Sequence, residues 1–145
     1  MLGIHRHLDP HKTNWSALWQ GEYGPRLPEI EARSTGDTCL GVYLPGGSDG
    51  LVEFVAGRPA KDGIEVPAGL AVRGIPPATY AVFECAMATI GATWEAIYGD
   101  WLPNSAYVVD AGKACFEAFA PGCHEGTTPV RISDPVVPRT QPEVI

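Results

Sequence analysis

The chain contains no Cys-x-x-Cys pair, no Ser-His-Asp or Cys-His arrangement that can be read from spacing, and few cations. No apolar run approaches the ~20 residues a membrane-spanning helix needs. Its four cysteines, at positions 39, 85, 115 and 123, are too dispersed for a zinc ribbon, and Cys115, Cys123 and His124 do not have a usual ligand spacing. Four free thiols packing as small hydrophobes, in a reducing compartment, is the expected state. Ten Lys and Arg against seventeen Asp and Glu leave a net charge of −7. That balance argues against nucleic acid and anionic membranes as partners, and weakly favours cationic small molecules. The start, Met1 to His7, lacks the apolar core of a signal peptide, so a cytoplasmic address is expected.

What is present is one domain's worth of chain: 145 residues, 45% apolar and 19% charged. Seventeen glycines and fourteen prolines are too many for a helical bundle, and they fall between short apolar runs, as turns do in a strand-rich domain. Helical spacing occurs twice. Asn14 can cap a helix carrying Trp15, Leu18 and Trp19, which Gly24-Pro25 should stop. A second helix is expected over 89–102, with Ile90, Trp94, Ile97, Tyr98 and Trp101 on one face and Pro103 as its end.

Strands are expected at Cys39–Leu44, Leu51–Ala56, Leu70–Ile75, Thr79–Glu84, Cys115–Ala120 and Pro129–Ser133. Only Leu2-Gly3-Ile4 offers an opening strand, so the segment 1–13 reads as an N-terminal arm. The core domain then spans 14–136, and 137–145, with two prolines, is a loose tail. This order gives an α+β fold built from a duplicated strand–helix–strand–strand unit. Two helices pack on a curved antiparallel sheet, and the first copy's opening strand is missing or short. Without that strand the first half-sheet would have an unpaired edge near Cys39–Leu44 or Leu51–Ala56, covered by a second copy of the chain or by the Val136–Ile145 tail folding back; the copy is favoured because the tail's two prolines cannot donate to a ladder.

Three stretches carry a family resemblance: Leu40-Gly41-Val42-Tyr43, Phe54-Val55-Ala56-Gly57 and Ile75 to Glu84. It continues through Thr93 to Tyr98, Asp100-Trp101-Leu102-Pro103-Asn104-Ser105-Ala106-Tyr107, Phe116 to Phe119 and Val130 to Val136. Together these resemble the GyrI-like (gyrase-inhibitor-like) effector-binding domain over roughly residues 14–136. The family is similar to the ligand-sensing half of AraC- and MerR-type multidrug regulators, and some free-standing members travel on mobile gene cassettes. The resemblance implies a duplicated fold with a lipophilic, often cationic, drug-like ligand between its halves. A minority of members hydrolyse strained-ring toxins, and free-standing members said to contact a topoisomerase make a protein-interaction module a further alternative. The family's closing strand usually carries a Glu, where this chain has Arg131 followed by Ile132, Ser133, Asp134 and Pro135. An inward Arg131 would turn ligand preference away from cations, unless it pairs with an acid on a neighbouring strand.

A drug-sized ligand needs apolar and aromatic walls with one or two orienting polar groups. The candidate ligand-binding residues are Tyr43, Phe54, Tyr80, Glu84, Trp94, Trp101, Glu117, Phe119 and Arg131. Most of the aromatics would serve in any core. Glu53, Glu84 and Glu117 each sit in an apolar strand, where a solvated outward face is the ordinary outcome. An inward acid is costly to desolvate, and a cationic ligand relieves that cost. No catalytic residue, cofactor or metal site is expected. His5, His7 and His11 have the look of a metal cluster, but they fall in the arm, beside Pro10.

Overall fold

The computed structural model describes residues 1–140. Its strands are β1 (Leu2–Leu8), β2 (Cys39–Leu44), β3 (Val52–Arg58), β4 (Ala71–Val72), β5 (Tyr80–Cys85), β6 (Tyr107–Val109), β7 (Cys115–Phe119) and β8 (Val130–Pro138). They form one antiparallel sheet in the order β4-β1-β3-β2-β7-β8-β5, with β6 pairing the far end of β8. Two helical segments pack against it: α1, residues 17–31, and α2, residues 87–104. The expected α+β duplication is present. β1–α1–β2–β3 forms one half and β5–α2–β7–β8 the other, joined where β2 pairs with β7.

The opening strand is neither missing nor short. β1 runs for seven residues and pairs with β3 along its whole length, from Leu2 opposite Arg58 to Leu8 opposite Val52. Its signal was a two-residue alternation, in which Leu2, Ile4, Arg6 and Leu8 share one face and Gly3, His5 and His7 the other. Arg6 hides the pattern, yet its guanidinium reaches out to Glu22 while Leu2 and Ile4 are buried. The unpaired edge on which a dimer was expected is therefore covered by the chain's own first strand. At the other end, β8 continues through Val136–Pro138, into the stretch read as a loose tail; residues 141–145 lie outside the described ones. Of the strand expected at Leu70–Ile75, only Ala71–Val72 pairs.

Neither proline stops its helix. In α1 the Gly24 N–H bonds back to the Trp19 carbonyl, and in α2 the Leu102 N–H bonds to that of Ile97. These widened turns, five residues back rather than four, shift the hydrogen-bond register just before Pro25 and Pro103. Each proline then sits in the first positions of a new helical turn, where its missing N–H costs nothing. The expectation that Gly24-Pro25 and Pro103 terminate the helices is thus corrected: α1 runs on to Glu31 and α2 to Asn104. Asn14 does cap, its side-chain oxygen accepting the Ala17 N–H at 3.1 Å.

Each half has its own core. Leu2, Ile4, Leu18, Tyr23, Ile30, Phe54 and Ala56 fill the first. Ile97, Leu102, Ile132 and Val136 fill the second, with Phe83, Trp94 and Trp101 packed on them. Gly3 faces Gly57 across the β1–β3 ladder so closely that a methyl group on Gly3 runs into the Ala56 carbonyl. Gly3→Ala is expected to lower stability by about 1–3 kcal/mol, as overpacking against fixed backbone does. The urea midpoint measures it.

Candidate functional site: an acid-bearing seam between the halves

Alternation along the central strands decides what the seam presents. In the β2–β7 register Gly41 lies opposite Glu117 and Tyr43 opposite Cys115, so Cys39, Gly41 and Tyr43 share the helix-side face with Cys115, Glu117 and Phe119. The same rule places Ile132 and Asp134 of β8, and Ala81 and Phe83 of β5, on that face. Gly41 matters here because a side chain at that position would press on the rings of Trp19 and Phe54. Its absence lets the Trp19 indole lie on the sheet beside Glu117's strand, edge-on to Phe119 at 5.3 Å.

Two carboxylates are buried on this face. Glu117 is 9% exposed, and its Oε1 accepts a hydrogen bond from the Trp94 indole N–H at 3.1 Å and from the Tyr43 hydroxyl at 3.3 Å. Asp134 is 1% exposed; its Oδ1 accepts the Tyr98 hydroxyl at 3.2 Å, and its Oδ2 has no hydrogen-bond partner. Burial raises the pKa of both acids, and the hydrogen bonds from Trp94 and Tyr43, or from Tyr98, offset this only in part. Neither acid has a cation beside it among the described ion pairs. Cys115 lies on the same face, and burial, then Asp134 and Glu117, push its thiol up to about 12, which keeps it an inert thiol.

Aromatic rings surround the acids. Trp94 and Tyr98, one turn apart on α2, stack at 6.0 Å and 22°. Trp15 of the first half meets Tyr43 and Phe54 edge-on, at 6.1 and 5.1 Å. Such faces carry the negative quadrupole that attracts a desolvated cation, at roughly 0.5–2 kcal/mol each.

Of the residues expected from sequence, Tyr43, Trp94, Glu117 and Phe119 come together at the seam. Phe54 does not line it; the ring is 1% exposed, in the first core beneath Trp15. Trp101 packs on Phe83 and stacks against Tyr107, away from Glu117. Tyr80, Glu84 and Arg131 lie on the opposite face of the sheet. Tyr80 packs on Phe116 and donates to the Ala114 carbonyl, while Arg131 pairs with Glu84 across the β5–β8 ladder at 3.3 Å. With 61% and 58% of their side chains exposed, the two contribute little to stability. Arg131 thus pairs with a neighbouring acid, outside the seam, and the charge reversal never reaches the ring-lined face. Trp15, Trp19, Tyr98 and Asp134 were missed as site residues. The signal for Asp134 was available: an acid flanked two residues away on each side by Ile132 and Val136 shares their buried face.

An antiparallel sheet of two strand–helix–strand–strand halves, with desolvated acids and aromatic rings where they meet, is the architecture of a small-molecule-binding module. A family model described as Cass2, an integron-associated effector binding protein, matches residues 1–131, and the chain belongs to that family. Both the GyrI-like resemblance and the expected link to mobile gene cassettes are borne out by that membership. The match takes in β1, which the resemblance had left out. Among solved structures, that of SAV2435 bound to tetraphenylphosphonium is similar in fold: TM-score 0.77, 18% identity, covering 94% of this chain and 87% of that one. No curated protein matches the sequence. Among the described residues no helix is long and apolar enough to cross a membrane.

The raised acids have a stability consequence whose sign is fixed. A carboxyl with a higher pKa folded than unfolded is held protonated more tightly by the native state. Its contribution is full below the unfolded value and is lost as pH rises through the folded one. Thermal unfolding of the ligand-free protein should therefore show wild type losing more stability than Glu117→Gln as pH climbs above the ordinary glutamate value of 4.5. Equal losses would place the Glu117 carboxyl in solvent.

Proposed function

We propose that the protein binds a lipophilic cation at the seam, with Glu117 and Asp134 as the countercharge and Tyr43, Trp94, Tyr98, Trp19, Trp15 and Phe119 as the aromatic surround. The observation that carries this reading is a pair of buried acids without a cationic partner, one of them with an unpaired oxygen. Desolvation penalises both carboxylates, and a cation that itself prefers an apolar surround offsets that penalty while shedding little hydration. Tetraphenylphosphonium in the SAV2435 structure is a ligand of this chemical type. The net charge of −7 supports attraction of a cation and opposes a role on nucleic acid.

A raised carboxyl is also what a general base requires, so hydrolysis of a strained-ring electrophile is the second reading. Against it, Glu117 Oε1 is already occupied by two donors. The β3 edge on which a partner copy was expected is paired with β1, so that edge gives no support to a dimer.

Titration of the four tryptophans' fluorescence with tetraphenylphosphonium tests the site. Glu117→Gln should weaken binding about thirtyfold or more, the ~2 kcal/mol lower bound for truncating one partner of a buried charge pair. Arg131→Glu, on the far face, should leave the affinity within about twofold, as rim and surface charges do. Affinity that falls with Arg131→Glu and ignores Glu117→Gln would move the site to the other side of the sheet.

A further inference from the structure

On the sheet face turned away from the helices, β1 and β3 bring together His5, His7 and Glu53. Side chains two apart on a strand share a face, and the register sets His7 directly opposite Glu53, with His5 opposite Val55. His5 Nε2 lies 2.7 Å from Glu53 Oε1, and the two imidazoles meet edge-on at 5.1 Å. One ligand atom from each of the three residues lies within 4.8 Å of the other two. His7 is exposed, while the His5 and Glu53 side chains are 20% and 25% exposed. His11, the third histidine of the sequence cluster, sits in the turn beyond β1 and is not part of the group.

We propose that His5, His7 and Glu53 form a binding site for a borderline divalent transition-metal cation of the Zn²⁺ class, with water completing the coordination shell. Two imidazoles and a carboxylate are the ligand set of open tetrahedral sites. At Zn–ligand lengths of about 2.1 Å, tetrahedral ligand atoms stand about 3.4 Å apart, so the widest separation must close by at most about 1.4 Å while the His5–Glu53 pair, at 2.7 Å, opens by about 0.7 Å. Rotation of the exposed His7 ring supplies the closure within the β1–β3 frame, and the metal takes the place of the His5–Glu53 hydrogen bond. Arg73 supports the carboxylate from outside: its Nε donates to Glu53 Oε1 at 3.1 Å, and its Nη1 donates to the Val72 carbonyl. The same guanidinium charge opposes an incoming cation, which sets the expected affinity in the micromolar range rather than below it. The Arg73 bond to one oxygen also fixes the carboxylate's orientation, the usual task of an outer partner at a metal site.

Tag-free protein is titrated with Zn²⁺ in competition with a chromogenic chelator, and with Co²⁺ for its visible spectrum. One Zn²⁺ should bind, and His7→Ala and Glu53→Gln should each weaken it by at least about tenfold. Co²⁺ should give d–d bands without the near-ultraviolet thiolate band. Because Glu53 also anchors Arg73, both variants are checked by circular dichroism, and exposed His7 gives the reading least exposed to misfolding. Zn²⁺ should raise the unfolding temperature of wild type but not of His7→Ala. Failure of wild type to bind, binding indifferent to His7→Ala, or a thiolate band with Co²⁺ would each overturn the site.

Discussion

The antiparallel pairing of β2 with β7 is the join on which the rest depends, because its register decides what lies between the halves. With Gly41 opposite Glu117 and Tyr43 opposite Cys115, a carboxylate emerges on the helix side at the middle of the sheet, next to a position with no side chain. Trp19 fills that space from α1, and Trp94 reaches Glu117 from α2. A slip of one residue would exchange Glu117 for Phe116 or Ala118, turning an acid-bearing seam into an apolar one. The pairing also makes the sheet continuous from β4 to β5. The halves therefore cannot part along the seam without breaking ladder hydrogen bonds.

Stability and the proposed function pull against each other at this join. Two carboxylates taken from water without a counterion are a liability in the ligand-free protein, softened by hydrogen bonds from Tyr43, Trp94 and Tyr98. Asp134 Oδ2 is left without even that. Buried unpaired polar atoms are rare in folded proteins, and this one is what the proposed cation would satisfy. The two cores, one beneath each helix, supply the apolar burial that tolerates this deficit.

Much of this was legible in the sequence, for local reasons. β2, β5 and β7 are short apolar runs between turn residues, and the structure places them within a residue of the expected bounds. β1 was hidden because Arg6 and two histidines mask a two-residue alternation, and only pairing with β3 over seven positions reveals it. The helix ends were misjudged because Gly24-Pro25 and Pro103 are breakers only in a regular α-helix. Each is preceded by a widened turn, within the related sequences Gly21-Glu22-Tyr23-Gly24-Pro25 and Gly99-Asp100-Trp101-Leu102-Pro103. Glu117 and Glu84 look alike in sequence, each in an apolar strand, and nothing local told inward from outward. Strand neighbours decided it: Gly41 and the two helices on one side, Arg131 and solvent on the other.

The halves repeat as folds but not as chemistry. Glu117 and Asp134 both come from the second half, as do Trp94 and Tyr98, which bond to them. The first half contributes rings, from Trp15 and Trp19, and a single hydroxyl, from Tyr43. A pocket on a true two-fold axis would offer any asymmetric guest two equivalent poses. The proposed site would present an acidic wall and an oily wall, so a guest with a charged end and a bulky end would have one energetically favoured direction in which to lie.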